Sequence, residues 1–219
     1  MAARRTALEN FVAGEPGTEA IRLSPSLLDR EAAVRWLDQL AGEIDGIVAK
    51  RDDLPYLSGS RDGMQKYKTA RSADCVVGGF RYGVRSDLVA SLLLGLYDEA
   101  GLLHHVGFTA TLQAAIKPEL TKRLEALVSP PGFTGRAPGG PSRWSTERTG
   151  DWRPLRPELV VEVRYDQVTD GRFRHGTRLV RWRPDKAPRQ CGFDQFPPPA
   201  QGRALALFEA AAKPGRSRA

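Results

Sequence analysis

The stretch Cys75-Val76-Val77-Gly78-Gly79-Phe80-Arg81-Tyr82 decides the fold. Its β-branched and aromatic residues predict a strand, and the paired glycines in its middle predict a bulge or bend. Two more strand signals follow, Val89 to Tyr97 and Leu102 to Phe108. They flank Asp98-Glu99-Ala100-Gly101, a four-residue loop suited to a β-hairpin. Leu112, Ile116, Leu120, Leu124 and Leu127 then recur at three- and four-residue spacing, predicting a helix over Thr111 to Val128. Leu159 to Tyr165 and Gly176 to Trp182 are the last strong strands.

Five strands with one helix between the third and fourth is the order of an OB-fold, a small Greek-key barrel often used on nucleic acid. The same barrel also serves oligosaccharides and proteins, so fold alone leaves the ligand open. Between helix and late strands lies Ser129 to Pro157, rich in Gly, Pro, Ser and Arg. So long a loop is uncommon in a compact domain, and Trp144 and Trp152 within it predict packing.

Upstream the texture differs. Arg4 to Val12 predicts a short helix with Leu8, Phe11 and Val12 on one side, ended by Gly14-Glu15-Pro16-Gly17. Ile21 to Leu23 predicts a short strand. Asp29 predicts the N-cap of a helix to about Leu40, with Val34, Leu37 and Leu40 on its buried face. Ile44 to Lys50 predicts a core strand with a basic end. These elements have no apolar partner layer of their own, which predicts the closing part of a larger domain. Pro197-Pro198-Pro199 closes the barrel region, and Gln201 onward predicts a short Ala-rich helix and a frayed basic tail. The expected organisation is residues 1–70, 71–200 and 201–219, an α+β chain.

The 219 residues carry a net charge of +7, which favours a polyanionic partner. No run is long and apolar enough for a membrane span, and Met1 to Asn10 lacks the apolar region of a secretory signal. Cys75 and Cys191 have no metal spacing and are expected to be buried free thiols. His104-His105 is expected to be structural, with no carboxylate or third ligand nearby. The four tryptophans are expected mostly in the core.

Three basic motifs appear in fixed order: Asp45-Gly46-Ile47-Val48-Ala49-Lys50, then Lys66-Tyr67-Lys68, then Arg183-Pro184-Asp185-Lys186. Lys66 and Lys68 share a strand face by period two, as convergence on one phosphate requires. Arg172, Arg174, His175, Arg178, Arg181, Arg183, Lys186 and Arg189, mixed with Phe173 and Trp182, suggest a nucleic-acid face. No Lys-x-Asp-Gly occurs. The residues two before the three Asp-Gly pairs are Glu43, Ser60 and Val168.

The order resembles the back half of an ATP-dependent DNA ligase. Asp45 to Lys50 looks like the family's fourth motif. Tyr56, Gly59, Arg61, Lys66 and Lys68 look like the fifth, and Arg183, Asp185 and Lys186 like the sixth. The wording of Asp74 to Arg81, Pro138 to Thr146 and Phe173 to Cys191 is close to the C-type bacterial enzymes. The resemblance implies a partial nucleotidyltransferase (adenylation) domain followed by an OB-fold β-barrel. It implies ATP and Mg²⁺ as cofactors, with Asp45 near the metal and Lys66 and Lys68 on the α-phosphate. Lys50 and Arg61 would line the nucleotide pocket, and Arg183, Asp185 and Lys186 would grip pyrophosphate. Met64 stands where several related ligases have tryptophan. The implied substrate is nicked double-stranded DNA, the setting cytoplasmic and nucleoid-associated repair or recombination.

In that family a lysine amine attacks the α-phosphate and carries AMP, and the chain is expected to lack that nucleophile. The sequence therefore leaves open a truncated or internally started ligase, a non-catalytic DNA-binding OB module, and half of a split enzyme. In the last case a separate N-terminal adenylation-domain polypeptide would complete it. A capping-type guanylyltransferase shares the motifs but not the OB wording.

Overall fold

Asp29 fixes the first well-defined helix. In the computed structural model, which describes residues 2–14, 23–40, 43–139, 151–196 and 202–212, its carboxylate accepts hydrogen bonds from the Glu31 and Ala32 amides. The helix so capped is α2 (Arg30–Gln39), preceded by α1 (Ala2–Gly14). Its buried stripe is Leu37 and Leu40, and Val34 is 45% exposed, so burial begins a turn later than expected. α1 buries none of its residues: Leu8 and Phe11, expected on a packed side, are exposed. The strand expected over 21–23 lies largely outside the described residues.

The strands β1 (Gly46–Lys50) and β2 (Met64–Lys68) form an antiparallel two-stranded ribbon. β1 is not the core strand expected, because among the described residues no further strand joins the ribbon and a lone ribbon cannot bury a face; Val48 is 52% exposed. Gly46 is obligatory here. At φ 153° its place for a Cβ lies 2.1 Å from the Tyr67 carbonyl oxygen.

These elements belong to one compact unit, Met1–Thr69 with Pro197–Ala219; Ala70–Phe196 is the other. The second unit holds β3 (Arg71–Tyr82), β4 (Val89–Tyr97), β5 (Leu103–Thr109) and α3 (Lys117–Glu125). It continues with β6 (Arg153–Pro154), β7 (Val160–Tyr165), β8 (Val168–Thr169), β9 (Arg172–Phe173) and β10 (Arg178–Trp182). The main sheet runs β10-β7-β3-β4-β5, with β6 on β3 and a small β8-β9 pair. This antiparallel order, with a helix between β5 and β7, is consistent with an OB-fold. Among the described residues a closed barrel is not formed. β5 and β10 meet only at an isolated parallel bridge, Thr109 to Thr177, where the Thr177 amide donates to the Phe108 carbonyl at 3.0 Å.

The helix expected over 111–128 is shorter. Pro118 suits only a first helical turn, so a 3-10 turn (Ala114–Ile116) precedes α3. Leu120 and Leu124 are buried on α3, whereas Ile116 is exposed. They join a core of Val76, Val77, Phe80, Leu92, Leu94, Val106 and Val161.

The glycine pair acts as expected. Register shifts between Val77 and Gly79, and the space left by the glycines admits two rings from the long loop. A Cβ on Gly78 would lie 2.6 Å from Phe133, and one on Gly79 2.6 Å from Trp152. The rings meet edge to face at 5.5 Å, so the described parts of the loop are packed; Trp144 lies outside them. Gly78→Ala should therefore destabilise by about 1–3 kcal/mol, read as a lower urea midpoint at unchanged slope.

Cys75 and Cys191 are buried and free, and burial pushes the Cys191 thiol up to about 11. The chain ends its described part with α4 (Arg203–Ala212). Glu43 caps it, its side chain 3% exposed: Oε1 pairs with Arg203 Nε at 2.9 Å, and Oε2 accepts the Ala204 amide at 2.8 Å. This stretch thus groups with the first unit. The proline run and the basic tail lie outside the described residues. Among the described residues no helix is long and apolar enough to cross a membrane.

Candidate functional site

Register places the first group of lysines. Lys68 opposes Gly46, Lys66 opposes Val48, and Met64 opposes Lys50. Opposed residues of an antiparallel pair point to one side, and so do residues two apart. Lys50, Lys66 and Lys68 therefore lie on one face of the ribbon, all exposed. Lys50 and Lys66 make no side-chain bond to a described residue. Asp45 sits one residue before the ribbon, at the end where Gly46 meets Lys68. Arg61 lies at the other end, its carbonyl accepting the Met64 amide as the chain turns into β2. The structure thus gathers three of the five expected cofactor-side residues on one face and sets Asp45 and Arg61 at its two ends.

The second group is built around a carboxylate that sequence reading gave no role. Asp74 lies on the outward face of β3, yet its side chain is only 12% exposed because the chain following β10 folds over it. Arg183 Nη1 donates to both of its oxygens at 2.8 Å, and Lys186 Nζ reaches Oδ2 at 2.8 Å. Arg183 uses Nε and Nη2 on Asp185, at 3.0 and 2.8 Å. The Gln195 side chain then clamps the Asp74 backbone, accepting its amide at 2.8 Å and donating to its carbonyl at 3.1 Å. Arg183, Asp185 and Lys186 are thus brought together and oriented. Hydrogen bonding to Asp185, then the charge of Asp74, raises the Arg183 guanidinium's affinity for its proton. The bond from Arg183 lowers the Asp185 carboxyl to about 2. The signal for Asp74 was a carboxylate written into an otherwise apolar strand.

Much of the basic density from 172 to 189 has partners within the fold. Arg172 donates to His105 Nδ1 at 3.3 Å, Arg174 to Gln167 at 2.8 Å, and Arg181 to Glu162 at 2.7 Å. His175 contacts Asp166 at 3.0 Å, and Arg189 donates to the Gly101 carbonyl at 2.8 Å over the Tyr97 ring. Phe173 is core, and Trp182 is half-buried under Arg123.

The histidine pair is structural, but a carboxylate does stand beside it. Asp98 Oδ2 is 2.8 Å from His104 Nε2, and His104 Nδ1 accepts the Arg136 amide at 3.0 Å. Among the described residues no group of three His, Cys, Asp or Glu could hold a metal ion. A cleft lined by Trp36, Gln39, Leu40, Arg203 and Leu207 contains none of the expected site residues.

The family model for the ATP dependent DNA ligase C terminal region matches residues 85–186. DNA ligase C1 of Mycolicibacterium smegmatis is 42% identical over 202 residues, covering 90% of this chain and 56% of that protein. DNA ligase C of Mycobacterium tuberculosis is 38% identical over 213 residues, covering 90% and 59%. The crystal structure of the ligase domain of M. tuberculosis LigD superposes with a TM-score of 0.50 at 29% identity, covering 86% of this chain and 59% of that one. The chain thus spans a little over half the length of these relatives. Through that match and those identities, the chain belongs to the ATP-dependent DNA ligase family, of which it carries the C-terminal region.

Proposed function

We propose that this chain supplies the phosphate-gripping part of ATP-dependent nick sealing in double-stranded DNA repair, and that by itself it does not take up AMP. The lysine face of the ribbon carries the reading. Three ammonium groups on one rigid face suit an α-phosphate, whose charge grows during nucleotidyl transfer. Lys66 and Lys68 hold that phosphate, while Lys50 and Arg61 steady the nucleotide. Arg183 and Lys186, held by Asp74 and Asp185, accept the pyrophosphate. Mg²⁺ binds through one or two carboxylates plus phosphate oxygens, so the single exposed carboxylate of Asp45 beside the Lys68 end fits it. When bound, the ion neutralises phosphate charge.

The attacking amine is the missing part, since no Lys-x-Asp-Gly occurs in the 219 residues. Incubation with radiolabelled ATP and magnesium should leave no labelled band on a denaturing gel; a band at this chain's mass would overturn the second half of the reading. Adding a polypeptide that carries the Lys-x-Asp-Gly half should restore joining of a nicked duplex. Lys66→Ala with Lys68→Ala should then lower joining at least ~100-fold. Salt-dependent DNA binding with no joining under any complementation would favour a non-catalytic DNA-binding module instead.

A further inference from the structure

Within the ladder of β10 on β7, Arg178 stands directly opposite Arg164. Both side chains are exposed, and neither makes an ion pair or hydrogen bond to a described residue. Like charges directly opposed across strands oppose folding, so nothing in the stability of the sheet accounts for the pair. The contrast is sharp with the next same-face position of β7, beyond the pair of Leu179 and Val163 and a register shift. There Arg181 opposes Glu162 and bonds it at 2.7 Å, with Asp74 the next partner across on β3.

Alternation and register put these groups on one face. Arg164 and Glu162 are two apart on β7, and their β3 partners are Ser72 and Asp74. The unpaired arginines therefore lie about 7 Å along the strand from the rung that leads to Asp74, Arg183 and Lys186. Ser72 is the third position of their row, and its hydroxyl is bonded to Glu162. Two guanidinium forks side by side offer several N–H donors, and the nearest carboxylate on this face, Glu162, is already engaged by Arg181 and Ser72.

We propose that Arg164 and Arg178 form a seat for a phosphoryl group, next to and distinct from the Asp74 cluster. Bound phosphate relieves the repulsion between the two guanidinium groups, so the seat is held open by charge and filled by charge. The chemistry fits either the phosphates of a nucleotide or a backbone phosphate of the duplex. The inference deepens the ligase reading by adding a second anion position, but the seat itself does not depend on turnover.

The test uses the full 219-residue chain and two probes, inorganic pyrophosphate and a 5′-phosphorylated nicked duplex. Arg178→Glu lets the new carboxylate pair with Arg164, so thermal stability should be unchanged or higher while the seat is lost. Affinity for at least one probe should fall at least ~10-fold. A fall for pyrophosphate alone assigns the nucleotide, and a fall for the duplex alone assigns the backbone. Arg164→Gln should act in the same direction, and Arg85→Gln, a neutralised charge on the turn after β3, should leave both affinities unchanged. If Arg178→Glu and Arg164→Gln fold and bind both probes like the parent, the seat does not exist. A chain that never joins DNA even with the Lys-x-Asp-Gly half added, yet loses probe binding in Arg178→Glu, would sink the ligase reading and keep the seat.

Discussion

Asp74→Ala should lower the unfolding free energy by about 3–5 kcal/mol, the range for removing one partner of a buried ion pair. Asp74, Arg183 and Lys186 are each at most a fifth exposed, so the two cations would be left without their shared carboxylate and with little water in exchange. Arg183 keeps Asp185, itself exposed, which softens the loss on that side only. Asp74→Asn should cost less, because an amide oxygen still accepts one of the bonds. Urea unfolding of the three proteins checks the order. A loss below about 1 kcal/mol for alanine would mean that the cluster is not held together by Asp74.

Acid should act on a different residue. His105 is buried against Phe133, and burial, with the charges of Arg172, Arg81 and Arg136 nearby, lowers it from the ordinary value near 6.5 to about 3. The folded protein therefore keeps this imidazole neutral where the unfolded chain binds a proton. Between pH 6.5 and 3 the unfolded state holds more protons, so stability rises with pH there and is complete above 6.5. At 1.36 kcal/mol per unit, the loss is at most about 3 kcal/mol by pH 4. Asp185 and Glu162 are depressed carboxylates whose contributions are full above their ordinary values of 3.8 and 4.5 and fade as pH falls through and below them. The window from 6.5 to about 5 thus belongs to His105. In His105→Gln the slope of stability against pH should flatten within that window. A parallel pair of curves would remove His105 as the cause.

Local chemistry was legible in the sequence, and long-range partnership was not. The Gly78-Gly79 irregularity, the Asp98 to Gly101 hairpin and the Asp29 cap were read from residues that act on their own neighbours. The same holds for Lys66 and Lys68, whose common face needs only period two. Asp74 was passed over because Arg183 stands 109 positions away. No spacing rule connects a carboxylate on β3 with the chain after β10. Apolar periodicity misled where no layer covers it: Leu8 and Phe11 on α1, and Val48 on β1, are exposed. Most cations between 172 and 189 have partners folded against them, which a count of charges in the sequence does not reveal. Arg178 stands out only once its cross-strand neighbour is known.

Glu43 has a lesson for anyone tempted to repair the chain. It precedes Asp45-Gly46 by two residues, so Glu43→Lys would spell the absent tetrapeptide. That carboxylate is already committed to the opening turn of α4 and to Arg203. A lysine there would press one cation against another and against the positive end of a helix dipole. Spelling is not placement: the rewritten motif would detach a helix and bring no amine to a nucleotide.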